Sequence, residues 1–299
     1  MNAPWRTDLL VRAMPAVFVV IWSTGFIVAR FGMPHSPPMS FLSLRYLLSV
    51  LCFAAWATAA RAVWPTRGSQ WAHLAVTGVL MHAGYLGGVW AAVKLGMGAG
   101  LAALLVGLQP VLTAVWVSAR GGEVSARQWG GLALGFGGLF LVVWEKLGLG
   151  EIGPVNLALA GLALLSITAG TLYQKRFIAP TDVRTANLVQ LAAAFAVTVP
   201  LALLETEAMQ WTRAGALNWE LVGAMGWSVL ALTLGGSSLL YLLIQRGAAT
   251  AVTSLLYLVP PCTAVMAWLL FAEPITGATV LGMALTALGV SLVVRPAAK

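Results

Sequence analysis

The chain has 299 residues, of which 60% are hydrophobic and only 9% charged, with a mean hydropathy of +0.89. A soluble domain carries about 25% charged residues, so this composition excludes one and points to an integral membrane protein. The net charge of +8 is no nucleic-acid footprint, because the basic residues are spread through short connectors and form no stripe or run.

A helix that crosses the hydrocarbon needs about 20 mostly apolar residues. Ten such segments are predicted, at 13–31, 38–60, 71–93, 98–118, 127–146, 154–176, 185–204, 219–244, 249–270 and 276–295. The first follows Arg6 and Arg12, as the core of a secretory leader does. It lacks a small-x-small cleavage site and contains Trp22 and Ser23, so it is read as a membrane helix. Proline, glycine and charge mark the breaks, as in "GMPHSPP", "RAVWPTRGSQ", "ARGGEVSARQ", "APTDVR" and "AEPIT". None of the connectors has room for a soluble domain. The runs are continuous ("LAALLVGLQPVLTAVWV") and lack the every-second-residue alternation of an outer-membrane barrel. Cys52 and Cys262 both lie inside apolar runs and are read as packed thiols. His35, His73 and His82 are scattered, and no metal or other cofactor is expected.

With the N-terminus inside, ten crossings put Arg6, Arg12, Arg61, Arg67, Arg120, Arg127, Lys175, Arg176, Arg184, Arg246, Arg295 and Lys299 on the inner side, twelve of the seventeen basic residues. This bias follows the positive-inside rule and favours an even number of crossings, with both termini cytoplasmic.

The chain repeats itself. "GLALGFGGLFLVV" at 131–143 aligns with "GMALTALGVSLVV" at 282–294 at an offset of 151. At an offset of 150, Pro110 matches Pro260, "TAV" at 113–115 matches "TAV" at 263–265, and Glu123 matches Glu273. Fixed-period similarity of this kind is the mark of duplication. Two halves are expected, 1–148 and 149–299, with five helices each. Five is odd, so the second half enters the membrane from the opposite side, as an inverted-topology repeat. Such repeats underlie alternating access around a site near the membrane midplane.

The same stretches resemble the EamA-type branch of the drug/metabolite transporter superfamily over nearly the whole chain. The resemblance is carried by "IWSTGFIVARFGM", "FLSLRYLLS", the proline-bearing helices "LLVGLQPVLTAVWV" and "SLLYLVPPCTAVMAWLL", and the Glu, Ser/Thr and Gly-rich runs that follow them. It implies ten helices in a basket around a cavity lined by helices 1, 3, 4, 6, 8 and 9, and export of small metabolites. "WSTGF" and the aromatic content are closest to amino-acid exporters.

Arg45 is the one cation well inside an apolar segment. A charge at the helix centre costs about 2.5–3.5 kcal/mol on insertion scales, so it faces a cavity, a partner or the interface. Two readings stand: a snorkelling anchor for helix 2, and a cation at the cavity that attracts a carboxylate. His82 is read as a satisfied bundle histidine or as a substrate- or proton-binding group, with Tyr85 on the same face three residues on. Trp22, Ser23, Tyr46, Trp90, Tyr173, Gln174, Tyr241, Gln245 and Tyr257 complete the candidate substrate-binding set, since aromatic walls with a few polar tips suit a small ligand. Each has a packing reading too. Pro110, Pro260 and Pro261 are hinge candidates or static bends. The pairs Gly84/Gly88 and Gly131/Gly135 are close-packing faces.

The nine acids, Asp8, Glu123, Glu145, Glu151, Asp182, Glu205, Glu207, Glu220 and Glu273, all fall in connectors, tails or helix ends. That disfavours a midplane carboxylate that trades a cationic cargo for a proton. Transport is expected to be facilitated or weakly proton-coupled through His82. Glu123 and Glu273 are expected at the N-termini of the helices that follow them, with Ser125 and Thr276 as N-caps and "SARQ" as a capping box.

The expected function is therefore export of amino acids or similar small zwitterions, without ATP, from a multi-pass protein of the inner membrane. Its partners are a small-molecule solute and the lipid bilayer, with no nucleic acid and no required oligomer. A lipophilic-drug exporter and a sugar or nucleotide-sugar transporter remain open. So does an integral membrane enzyme, although no catalytic motif is visible.

Overall fold

The computed structural model describes residues 4–121, 125–148, 152–236, 239 and 258–294. The described parts of the ten predicted segments are mostly helical, with a break at Gly107 and Leu108 inside the fourth and non-helical residues at some segment ends. α1 (Pro4–Gly32) covers the first and begins earlier than 13, with Pro4 in its first turn, where proline is tolerated, and Pro15 inside it. α2 (Pro38–Ala59) is the second. The third is one run made of α3 (Gly68–Gly78), a π-helical turn at Val79–Gly84 and α4 (Tyr85–Lys94). The fourth, expected as a single helix, is split into α5 (Ala99–Val106) and α6 (Gln109–Ala119). α7 (Ala126–Gly148), α8 (Pro154–Phe177) and α9 (Val183–Ala202) are the fifth to seventh. A short hairpin, β1 (Thr212–Arg213) with β2 (Ala216–Leu217), fills the next connector. The eighth is α10 (Trp219–Trp227) continued by a second π-helical stretch, Ser228–Gly236. α11 (Val259–Phe271) and α12 (Gly277–Val294) belong to the ninth and tenth. Among the described residues, six helical runs are long and apolar enough to span a bilayer by themselves.

The radial pattern is that of a protein in lipid. Phe140, Trp144, Leu165 and Leu269 are 61–66% exposed, which would be an aggregation hazard in water but is the lipid-facing surface of a membrane bundle. Polar groups run the other way: Ser23, Arg45, Ser49, Thr77, Thr185, Ser228 and Thr263 are buried. Among the described tryptophans only Trp90 is fully buried. Most of the others are exposed on the surface, as interfacial tryptophans are.

The two sequence-repeated segments pack against each other, α7 on α12. A Cβ at Gly138 would come 2.5 Å from Gly282 O, and one at Gly289 would come 2.5 Å from Gly135 N. The glycines that carry the sequence repeat are thus the ones that let the two backbones touch. Gly84 and Gly88 do the same against Ser166 and Ala163 of α8.

The other contacts between the halves also come in matched pairs. Segment 2 packs on 7, and segment 4 on 9, each contact mapping onto itself when the halves are exchanged. Segment 3 meets 6 as 8 meets 1; segment 3 meets 7 as 8 meets 2; segment 1 meets 9 as 6 meets 4. Only the contact of α6 with α12 lacks a mate of similar extent among the described residues. The two π-helical stretches, starting at Val79 and Ser228, occupy corresponding places in segments 3 and 8.

Candidate functional site: a buried arginine between two π-helical stretches

The position of Arg45 is set by the start of its helix. Pro38 opens α2 in a first turn that needs no N–H from it. The Glu205 carboxylate, just beyond α9, accepts from Met39 N (2.8 Å), Ser40 N (2.8 Å) and Ser40 Oγ (2.7 Å). An anion on these free N–H groups complements the helix dipole and fixes the entry of α2. Arg45 follows about two turns in and is 7% exposed. It is no interfacial snorkeller. Its Nε and Nη2 both donate to Thr233 Oγ1, at 3.3 and 3.1 Å. Thr233 lies in the second π-helical stretch, and its hydroxyl donates in turn to Ser228 O at 2.8 Å.

Four other predicted residues gather around this cation. Trp90 stacks on Phe41 with centroids 4.5 Å apart, and its ring lies 6.0 Å from the guanidinium carbon. Tyr85 is buried within electrostatic reach of the same charge. Tyr46 faces the first π-helical turn: its hydroxyl donates to His82 O at 2.9 Å, and the two rings meet edge-on at 6.1 Å. The His82 side chain lies close to Gln190 of α9. π-Helical insertions widen the helix and recur at functional sites. Here one presents His82 and the other Thr233, on either side of Arg45 and Tyr46.

The remaining candidates lie elsewhere. Ser23 is fully buried and satisfied, its Oγ donating to Val19 O (2.7 Å) while its carbonyl accepts from Thr263 Oγ1 (3.3 Å), so it joins α1 to α11. Trp22 packs on Phe18 with centroids 5.2 Å apart. Tyr173 and Gln174 are in the last turns of α8, not at bundle depth: Tyr173 bonds His73 Nδ1 at 2.7 Å, and Gln174 is exposed. Tyr241, Gln245, Tyr257 and Glu123 lie outside the described residues. Pro110 sits in the first turn of α6, just after the break at Gly107 and Leu108, and Pro260 and Pro261 sit in the first turn of α11. The two sites abut, since a Cβ on Gly107 would lie 3.0 Å from Pro260 Cγ.

The end of the bundle at which α1 finishes, here the far end, is tied by carboxylates that reach from one half to the other. Glu273 does not serve its own following helix. Its carboxylate accepts from Ala99 N (3.0 Å) and Gly100 N (3.4 Å) at the start of α5 and lies 3.8 Å from Arg30 Nε. The reason is local: Thr276 already caps α12, accepting from Thr279 N at 3.1 Å, which frees Glu273 for the open N-terminus across the interface. Ser125 forms the expected capping box with Gln128. Glu220 pairs with His35 at 2.5 Å, Glu207 with Lys94 at 2.7 Å, and Glu145 accepts from Thr276 at 2.7 Å. Thr233, Gln190 and Glu205 were not singled out from the sequence. A threonine or glutamine in an apolar run carries no signal until the facing helix is known.

A solved crystal structure matches the fold with a TM-score of 0.61 at 16% identity, covering 94% of this chain and 96% of its own. A probable amino-acid metabolite efflux pump of Salmonella typhimurium is 28% identical over 54% of this chain, and one of Escherichia coli 26% identical over 54%. The matched region spans about half the length of each of these two, 52%. An uncharacterized transporter of Bacillus subtilis is 25% identical over 96% of this chain and 91% of its own length. The sequence pattern of the EamA-like transporter family matches twice, over residues 13–144 and again over 156–295. A bundle clad in lipid-facing side chains, with its polar groups turned inward, is the architecture such a match requires, and the chain belongs to the EamA-like transporter family.

Proposed function

We propose that the protein exports small zwitterionic metabolites, amino acids foremost, across the inner membrane by alternating access between its halves, 1–148 and 149–299, with ten crossings and both termini in the cytoplasm. The observation that carries this reading is the set of contacts that survives exchange of the halves: 3 with 6 and 8 with 1, 3 with 7 and 8 with 2, 1 with 9 and 6 with 4. The double family match, one per half, supports the same duplication. An odd number of helices in each half makes the second an inverted copy of the first. Two conformations that swap the roles of the halves are then close in energy, as alternating access needs. The names of the Salmonella and Escherichia relatives support amino acids as the cargo class.

On this reading the far end faces outward. Its half-to-half carboxylates, Glu273 on α5 above all, hold that side shut. The break at Gly107 and Leu108 and the prolines in the first turn of α11 are where the helices tilt. No nucleotide is consumed, and the solute moves down its own gradient or with weak coupling to protons at His82. The test is efflux from cells loaded with an amino acid by uptake and hydrolysis of a dipeptide. Cells expressing the protein should release the amino acid faster than cells carrying an empty vector. Equal release for every amino acid tried, with the protein present in the membrane, would rule out this cargo class.

A further inference from the structure

We infer that Arg45 is the anion-binding residue of the transport path, and that the cargo must carry a carboxylate that docks on it. This rests on the reading of the chain as a small-metabolite transporter and narrows its substrate class.

Arg45 is a permanent cation, 7% exposed, in the middle of an apolar bundle. Among the described residues no carboxylate answers it. Glu205, Glu207, Glu220, Glu273 and Glu145 are engaged at the far end, and Asp182 is bonded to Arg184. The sequence from 237 to 257 contains neither Asp nor Glu. The only acceptor that the guanidinium has among the described residues is Thr233 Oγ1, which takes two of its N–H groups at 3.3 and 3.1 Å. A guanidinium has five such donors in a planar fork that matches a carboxylate.

A second observation points the same way. Ser49, one helical turn from Arg45 on the same face of α2, and Ser228, one π-helical turn before Thr233, are both fully buried with hydroxyls that have no hydrogen-bond partner. Buried hydroxyls in a membrane bundle are normally satisfied. Here unsatisfied hydroxyls and a cation without an anion sit on the same two packed elements, α2 and the second π-helical stretch. Trp90, with its ring 6.0 Å from the guanidinium carbon, and Tyr85 give the spot an aromatic wall. The charge sets the class of anion. A single central cation balances one negative charge, which fits a carboxylate and leaves a phosphate dianion uncompensated.

The test is binding and transport by the purified full chain with matched ligands: phenylalanine and methionine, their methyl esters, and a panel of simple monocarboxylates. Wild type should bind the acid over its ester by roughly thirtyfold or more, the scale of a lost hydrogen bond to a charged group. Folded Arg45→Gln should bind acid and ester alike, and Arg45→Lys should keep part of the preference. If Arg45→Gln does not fold, Thr233→Val decides. Freeing the guanidinium from its hydroxyl should strengthen carboxylate binding about threefold or more and leave ester binding unchanged. Wild type that transports amines or esters as well as acids, or Arg45→Gln that keeps the full preference, would overturn the anion site while leaving the transporter reading intact. Transport of other monocarboxylates but no amino acid would support the site and move the cargo class. No transport of any ligand by folded protein would overturn the transporter reading and this inference with it.

Discussion

If Glu273 bolts the outward side, neutralising it should open that side. Glu273→Gln removes a charge that accepts two backbone N–H groups, Ala99 at 3.0 Å and Gly100 at 3.4 Å, and lies 3.8 Å from Arg30. Hydrogen bonds to a charged group contribute about 1.5–3 kcal/mol each, with the longer one at the bottom of that range. Arg30 is 37% exposed, so its ion pair adds only about 0–1 kcal/mol. Glutamine keeps one acceptor oxygen, which leaves an expected loss of about 2 kcal/mol, or roughly thirtyfold in the opening equilibrium. The assay uses protein with Cys52 and Cys262 replaced by alanine and a single new cysteine, Ala103→Cys. Ala103 lies one turn in from the bolt and is 1% exposed. A membrane-impermeant maleimide applied from outside should label Glu273→Gln roughly thirtyfold faster than the parent if labelling follows the open population. An unchanged rate in folded protein would refute the assignment of Glu273 as the bolt.

Other consequences are smaller in scope. Gly138→Leu should leave little folded protein in detergent, because the side chain would enter the Gly282 backbone. Gly137→Leu, with nothing within 4 Å of its Cβ position, should be tolerated. Tyr46→Phe should lower thermal stability by about 1 kcal/mol, since it removes the hydroxyl that donates to the His82 carbonyl. Asp182 caps α9 outside the membrane, and its hydrogen bonds with Arg184 hold its carboxyl below the usual range despite partial burial. A depressed folded pKa contributes stability above the unfolded value, about 3.9, and that contribution fades as pH falls through the folded value. The stability gap between wild type and Asp182→Asn, measured by thermal melting, should therefore be constant near neutrality and shrink below about pH 4.

How much of this was legible in the sequence depends on the range of each interaction. The helical segments were, because spanning runs are set by local hydropathy. So was the capping box at Ser125, which is complete within four residues. The repeated glycines were visible as a repeat, while their packing on each other showed only once the two helices were placed together. The split at Gly107 was hidden, since "LLVGLQPV" stays mostly apolar and only Gly107, Gln109 and Pro110 hint at it. The two π-helical stretches have no compositional mark. Their cost is met by tertiary partners, such as Tyr46 on the His82 carbonyl, that no local pattern shows. Arg45 stood out as a lone charge, yet whether it snorkelled or was enclosed was decided by Thr233, 188 residues away. Glu273 was assigned to the nearest helix start, and the structure gave it to a more distant one because Thr276 already filled the local role.

A chain that moves carboxylate-bearing small metabolites by itself should do so after reconstitution without any partner. Counterflow in proteoliposomes tests it most directly: vesicles loaded with unlabelled phenylalanine or methionine, traces of the labelled compound outside, and an imposed pH gradient in half the samples. The expected result is saturable accumulation of label above that in empty vesicles, competed by the acid and not by its methyl ester, and little changed by the gradient. Accumulation no greater than in empty vesicles for any amino acid or simple carboxylate, from protein shown to be folded, would contradict it.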